Sequence, residues 1–218
     1  VSDTVGVYID FLSPYAYLGW RGIRAMAARR GLTLEARPVL FAALLNAHGH
    51  KGPAEIPPKR RWIIRETARR AALAEVPFGP PRSHPFRPLL ALRAVLAAPE
   101  AARFALVDRL FAEAWGGEAS GGLDDPATVA RRAAEAGLDG AALVARAAAP
   151  EVKAALREAT EAAIAAGVFG VPTFDVGGEL FWGYDALDLV ELHLDGADPL
   201  DPAMVAEWDA LPATASRE

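Results

Sequence analysis

The sequence predicts an α/β fold: a β-α-β unit, an all-α insertion, and an α-β-β-α unit that completes the same sheet. Two observations predict it. The apolar run Val5-Gly6-Val7-Tyr8-Ile9 passes into a helical pattern and then into an alternating stretch, Leu32 to Val39. A strand–helix–strand of that length forms a right-handed parallel unit. Near the other end, two strand-like runs flank Gly177-Gly178, a strong hairpin signal.

The elements follow in order. Val5 to Phe11 is the first strand. Tyr15 to Arg30 is the first helix, with Leu18, Ile23 and Met26 facing the core and Gly31 just past its end, where a left-handed cap is expected. Leu32 to Val39 is the second strand, and Phe41 to Ala47 a short helix. A loop punctuated by His48-Gly49-His50-Lys51-Gly52-Pro53 and Pro57-Pro58 leads to a basic helix, Lys59 to Leu73. Helices are then expected over Leu89–Ala98, Glu100–Trp115, Pro126–Ala136 and Gly140–Ala148. Asp124-Asp125 before Pro126 makes a good helix start and Gly137 a good stop. Glu151 to Ala166 returns to the sheet. Thr173–Val176 and Glu179–Trp182 form the hairpin, Tyr184 to Leu194 the closing helix, and a turn-rich tail carries one short helix around Met204 to Leu211.

Composition narrows the function. Hydrophobic residues make up 52% and charged residues 23%, which fits a packed globular core. Net charge is −5 and no basic run interleaves with aromatics, so nothing asks for nucleic acid. No segment has the uninterrupted apolar length of a membrane span, and the first residues show no basic leader; a cytoplasmic protein is the expectation. There is no cysteine, which excludes disulfides, thiolate metal sites and a protein-borne redox dithiol. No metal site is expected, because His48-x-His50 is a short pair without a third ligand at a telling spacing.

Two distant stretches carry the chemistry. Ser13-Pro14 lies where the first strand meets the first helix. Serine is a preferred N-cap, and proline suits the first helical position. The junction is also suited to an anion such as a ligand's thiolate. The second stretch is Gly167-Val168-Phe169-Gly170-Val171-Pro172-Thr173-Phe174: a helix cap, a turn, an X-Pro step of either isomer, and a strand.

Taken together and in this order, the two motifs resemble the 2-hydroxychromene-2-carboxylate isomerase family and its relatives. Those are the kappa-class glutathione transferases and the DsbA-like oxidoreductases, which carry a helical insertion in a thioredoxin-like fold. The resemblance runs from about Val5 to about Leu194. It implies a thioredoxin-like domain of residues 1–45 plus 151–197, an inserted helical domain of 46–150, and a tail of 198–218. The positions matching a redox Cys-x-x-Cys read Ser13-Pro14-Tyr15-Ala16, so any thiol comes from a ligand.

The resemblance implies glutathione as cofactor. Ser13 is then the catalytic residue, stabilising the thiolate of glutathione, and Val171-Pro172 presents backbone groups to the cysteinyl part. In Phe181-Trp182-Gly183-Tyr184-Asp185-Ala186, Asp185 matches the family acid that grips the γ-glutamyl end. The family arginine after it is replaced by Ala186, and an arginine fork to a carboxylate is a contact alanine cannot make. Gly49-His50 stands where the family tends to have Gly-Asn, and His84-Pro85-Phe86-Arg87 where it has Phe-Pro-x-Asn. Tyr15, His50, Lys59, His84, Arg87 and Trp182 are the further pocket candidates, with Lys59 or Arg87 suited by charge to a substrate carboxylate. None of the four histidines has a positional argument as a partner of Ser13, and His193 reads as a helix-end cation.

Three readings follow. The first is a glutathione-dependent isomerase acting on a ring-opened aromatic keto acid by thiolate addition, bond rotation and elimination. The second is a kappa-type transferase using the same thiolate on an electrophile. The third is a family member that has lost glutathione and binds another ligand, with Ala186 as its support. The partner is a small-molecule substrate, and the kappa relatives imply a homodimer.

Overall fold

The computed structural model describes residues 3–212. Residues 1–2 and the end of the expected tail, 213–218, lie outside the described residues. The sheet has four strands in the order β2-β1-β3-β4: β1 (Thr4–Ile9), β2 (Thr33–Pro38), β3 (Thr173–Val176) and β4 (Glu179–Trp182). β1 runs parallel to β2 and antiparallel to β3, and β3 pairs antiparallel with β4. The register sets Val7 opposite Ala36 on one side and Phe174 on the other. Every residue of β1 from Val5 to Ile9 is buried. A central strand covered on both faces is apolar throughout rather than alternating, which is why its sequence reads as a run.

Helix α1 (Pro14–Arg30) covers one face of the sheet, burying Leu18, Trp20, Ile23 and Met26. Gly31 ends it at φ 70°, with its N–H on the Ala27 carbonyl, a conformation glycine adopts without the cost a Cβ brings. Between β2 and β3 come α2 (Phe41–Ala47), a 3-10 turn at Pro53–Glu55, α3 (Pro57–Leu73), α4 (Leu89–Ala97), α5 (Glu100–Trp115), α6 (Pro126–Glu135), α7 (Gly140–Ala147) and α8 (Pro150–Ala165). After β4 come α9 (Leu187–Leu194) and α10 (Pro202–Asp209). One continuous buried cluster runs from the sheet through α1 into α4 and α5. Trp20 Nε1 donates to Asp108 of α5 at 2.6 Å, and Arg24 pairs with the same carboxylate at 2.8 Å, so α1 is locked to the insertion by polar contacts as well as by packing. Helix α3 is different: only Thr67 and Ala71 are buried along its 17 residues, and its cations other than the half-buried Arg70 are exposed.

The boundaries depart from the sequence expectation by more than one residue in four elements, each for a local reason. β1 ends at Ile9, not Phe11, because the Asp10 carboxylate and carbonyl draw the next three residues into a turn. α3 begins at Pro57, two residues before Lys59, since proline is tolerated where a helix has no N–H to use. The closing helix opens with a separate 3-10 turn, Tyr184–Ala186. The tail helix spans Pro202–Asp209, capped by Asp201, whose side chain accepts the Ala203 N–H. Among the described residues no helix is long and apolar enough to cross a membrane.

Candidate active site

The site is built on the turn Asp10-Phe11-Leu12-Ser13, whose carbonyls all accept hydrogen bonds. Ser13 N–H donates to the Asp10 carbonyl at 3.2 Å. The Asp10 carboxylate accepts Leu12 N–H at 3.0 Å and Phe41 N–H at 2.9 Å. Two side chains of the insertion hold the remaining carbonyls: Trp115 Nε1 donates to Phe11 O at 2.8 Å, and His84 Nε2 to Leu12 O at 3.2 Å. The helical insertion thus clamps the turn that presents Ser13.

Ser13 is buried and caps α1. Its Oγ accepts Ala16 N–H at 3.1 Å, and its carbonyl accepts Tyr17 N–H at 3.2 Å. Pro14 has no N–H. That leaves Tyr15 N–H, which meets no acceptor among the described residues, as the open donor at the positive end of the helix. The Ser13 hydroxyl itself donates to the Val171 carbonyl at 3.2 Å.

Val171-Pro172 is a cis bond, and so is His84-Pro85. Val171 is buried, and its N–H meets no acceptor among the described residues. The Pro172 ring packs against α1 at Gly19, where a Cβ would come within 2.7 Å of Pro172 Cγ; this close approach requires glycine. Gly183 N–H donates to the Pro172 carbonyl at 2.9 Å, tying the Tyr184–Ala186 turn to the proline loop. Beside the loop, Phe169 and Trp182 form an exposed aromatic pair with ring centroids 4.9 Å apart.

Electrostatics separate the ionisable groups. Burial raises the Asp10 carboxyl to about 6, against the lowering effect of its two backbone N–H donors. Burial lowers the His84 imidazole, an effect the Leu12 carbonyl opposes and Arg60 reinforces. Its Nε2 donates while Nδ1 is buried without a partner among the described residues, the pattern of a neutral ring. The Tyr15 phenol is raised by burial and then by the adjacent Glu66 carboxylate.

Of the residues singled out in the sequence, the structure brings Ser13, Val171, Pro172 and His84 together, with Tyr15 in the first turn of α1 and Trp182 at the edge of the proline loop. His84 therefore has a place beside Ser13 after all, through the Leu12 carbonyl. Asp185 is exposed on its 3-10 turn. His50, Lys59 and Arg87 are exposed and share no hydrogen bond with the Ser13 turn among the described residues; His50 lies beside His48. His193 pairs with Asp198 at 2.9 Å. Asp10 was missed in the sequence, although an acid directly after five apolar strand residues is a signal that a charge has been placed with purpose. Among the described residues no cluster of three or more His, Asp or Glu could hold a metal ion.

Known proteins share this fold. The DSBA-like thioredoxin domain family model matches residues 4–195. A 2-hydroxychromene-2-carboxylate isomerase of Sphingobium xenophagum is 31% identical over 198 residues, covering 89% of this chain and 99% of that protein. Glutathione S-transferase kappa 1 of Rattus norvegicus is 27% identical, covering 84% and 87%. A solved 2-hydroxychromene-2-carboxylate isomerase structure superposes with a TM-score of 0.80 at 26% identity, covering 96% of this chain and 100% of its own. The chain belongs to the DSBA-like thioredoxin domain family, in the branch that holds the 2-hydroxychromene-2-carboxylate isomerases and the kappa-class glutathione transferases.

Proposed function

We propose that the protein is a glutathione-dependent isomerase of a ring-opened aromatic keto acid, of the 2-hydroxychromene-2-carboxylate isomerase type. The observation that carries the reading is the set of uncommitted backbone donors around Ser13. Tyr15 N–H and Val171 N–H both lie open beside the Ser13 hydroxyl and the Val171 carbonyl. That is what a short peptide ligand with an anionic sulfur needs: strand-like pairing for its backbone and helix-end donors for its charge. The residues present therefore fit glutathione. When bound, it supplies a thiolate nucleophile that can add to a conjugated chain and leave again.

The protein's own part follows from the hydrogen bonds. The Val171 carbonyl accepts a peptide N–H of the ligand, which frees the Ser13 hydroxyl to turn from Val171 toward the sulfur. Ser13 keeps accepting from Ala16 N–H during that turn, so its proton is directed outward. Tyr15 N–H adds a second donor. Both favour ionised over neutral sulfur. His84, neutral and bound to Leu12 O, holds the turn rather than moving a proton. Charge alone supports Lys59 and Arg87 as groups for the substrate carboxylate.

A kappa-type transferase reading uses the same site, and the likeness to the rat protein supports it. Product analysis separates the two. The protein is incubated with catalytic glutathione and a cis-configured, ring-opened aromatic α-keto acid, and the products are resolved by chromatography. The isomerase reading expects the trans isomer with glutathione returned unchanged. A stable thioether that consumes glutathione stoichiometrically contradicts it and supports the transferase.

A further inference from the structure

The arginine expected after Asp185 is Ala186, yet a guanidinium from another element stands against the same turn. Arg70 of α3 lies over the Tyr184 ring, Cζ 5.6 Å from the centroid. Tyr184 directly precedes Asp185, on the turn whose Gly183 N–H is bonded to the Pro172 carbonyl. The Arg70 guanidinium is thus stacked against the turn that carries the expected γ-glutamyl acid.

Two features leave Arg70 available to a ligand. It pairs with Glu66 one helical turn back through Nε alone, and its two Nη groups meet no acceptor among the described residues. Its side chain is 40% exposed, while that of Glu66 is 13% exposed, so the guanidinium is held by a largely buried carboxylate and is itself partly open to solvent. Asp185, exposed, takes part in no hydrogen bond or ion pair among the described residues. An uncommitted carboxylate and a half-committed guanidinium on one rim suit a ligand group bearing both charges: an α-amino acid head, with its ammonium on Asp185 and its carboxylate on the Arg70 fork. The electrostatics agree: the bond to Glu66 raises the Arg70 guanidinium most, and Asp185 raises it further.

We infer that Arg70 supplies from α3 the guanidinium that position 186 lacks, and that Arg70 and Asp185 together hold the zwitterionic head of a γ-glutamyl peptide. This inference rests on the glutathione reading above and adds a binding residue to it. It also explains how Ala186 can stand in the motif without loss of the ligand.

The test is calorimetric titration of two peptides, reduced glutathione and 4-aminobutyryl-cysteinyl-glycine, the same peptide without the γ-glutamyl carboxylate. Wild type, Arg70→Ala and Arg70→Gln are compared. Gln keeps a polar side chain with an N–H donor but no charge, and melting curves confirm that the variants fold. The expected result is that both variants weaken glutathione about 10- to 100-fold, the range for a lost charged hydrogen bond. Affinity for the decarboxylated peptide is expected to stay within about twofold. Equal weakening of both peptides, or unchanged glutathione binding in the variants, overturns the role of Arg70 while the glutathione reading stands. Absence of binding of either peptide to wild type overturns the glutathione reading and this inference with it.

Discussion

The Ser13 hydroxyl donates to the Val171 carbonyl at 3.2 Å across 158 positions of sequence, joining the start of α1 to the cis-proline loop. The same oxygen accepts Ala16 N–H, so one small side chain caps a helix and fastens two halves of the sheet domain. Ser13→Ala is expected to lower unfolding stability by about 1–2 kcal/mol, from the lost cap and the unsatisfied buried carbonyl. Ser13→Thr, which keeps the hydroxyl, is expected to lose less. Urea unfolding of the three proteins measures the difference; equal stability of wild type and Ser13→Ala would show that the bond contributes nothing.

Asp10 gives the turn a pH dependence. Burial raises its carboxyl from an ordinary value near 3.8 to about 6, so the folded protein binds this proton more tightly than the unfolded chain does. The contribution is complete below about pH 4 and is lost as pH rises through 6. Its size is about 3 kcal/mol. Asp10→Asn cannot titrate. The stability of wild type relative to Asp10→Asn is therefore expected to fall by that amount between pH 4 and pH 7. Parallel pH profiles for the two proteins would contradict the buried, raised carboxyl.

Much of this arrangement could be read in the sequence, because it is local. Ser13-Pro14 announces a capped helix by the chemistry of two adjacent residues, and Gly177-Gly178 announces a hairpin in the same way. The long-range parts could not be read. Nothing near His84 indicates that its ring reaches Leu12, since that contact depends on how the whole insertion packs. β1 ends early because Asp10 bonds Phe41, 31 positions away, which a strand pattern does not register. Arg70 was hidden among five other cations of one helix. Only the seating of α3 against Tyr184 distinguishes it from its neighbours.

A second buried acid behaves in the opposite sense. Glu113 of α5 accepts N–H groups of Ser120, Gly121 and Gly122 at 2.7, 3.2 and 3.1 Å, and pairs with Arg132 at 2.8 Å. Burial works to raise its carboxyl, but the donors from Ser120, Gly122 and Arg132 prevail and hold it below the ordinary value. Its stabilisation is therefore present above about pH 4.5 and lost as pH falls through the depressed folded value. Glu113→Gln leaves the buried Arg132 without this anion and is expected to cost about 3–5 kcal/mol at pH 7. The deficit should shrink on acidification. Thermal unfolding at neutral and acid pH checks both statements; a deficit that grows on acidification would contradict the assignment.

The central claim is that Ser13 and the start of α1 stabilise the thiolate of bound glutathione. The most direct measurement is the ultraviolet thiolate absorbance of the glutathione complex followed against pH, for wild type and Ser13→Ala at saturating ligand. The bound thiol is expected to titrate well below the ordinary value of about 8.5 in wild type. The titration is expected to move up by about one pH unit or more in Ser13→Ala, equivalent to roughly 1.4 kcal/mol of lost preference for the anion. A bound thiol that titrates at or above about 8.5 in wild type, or identically in the two proteins, would contradict the claim.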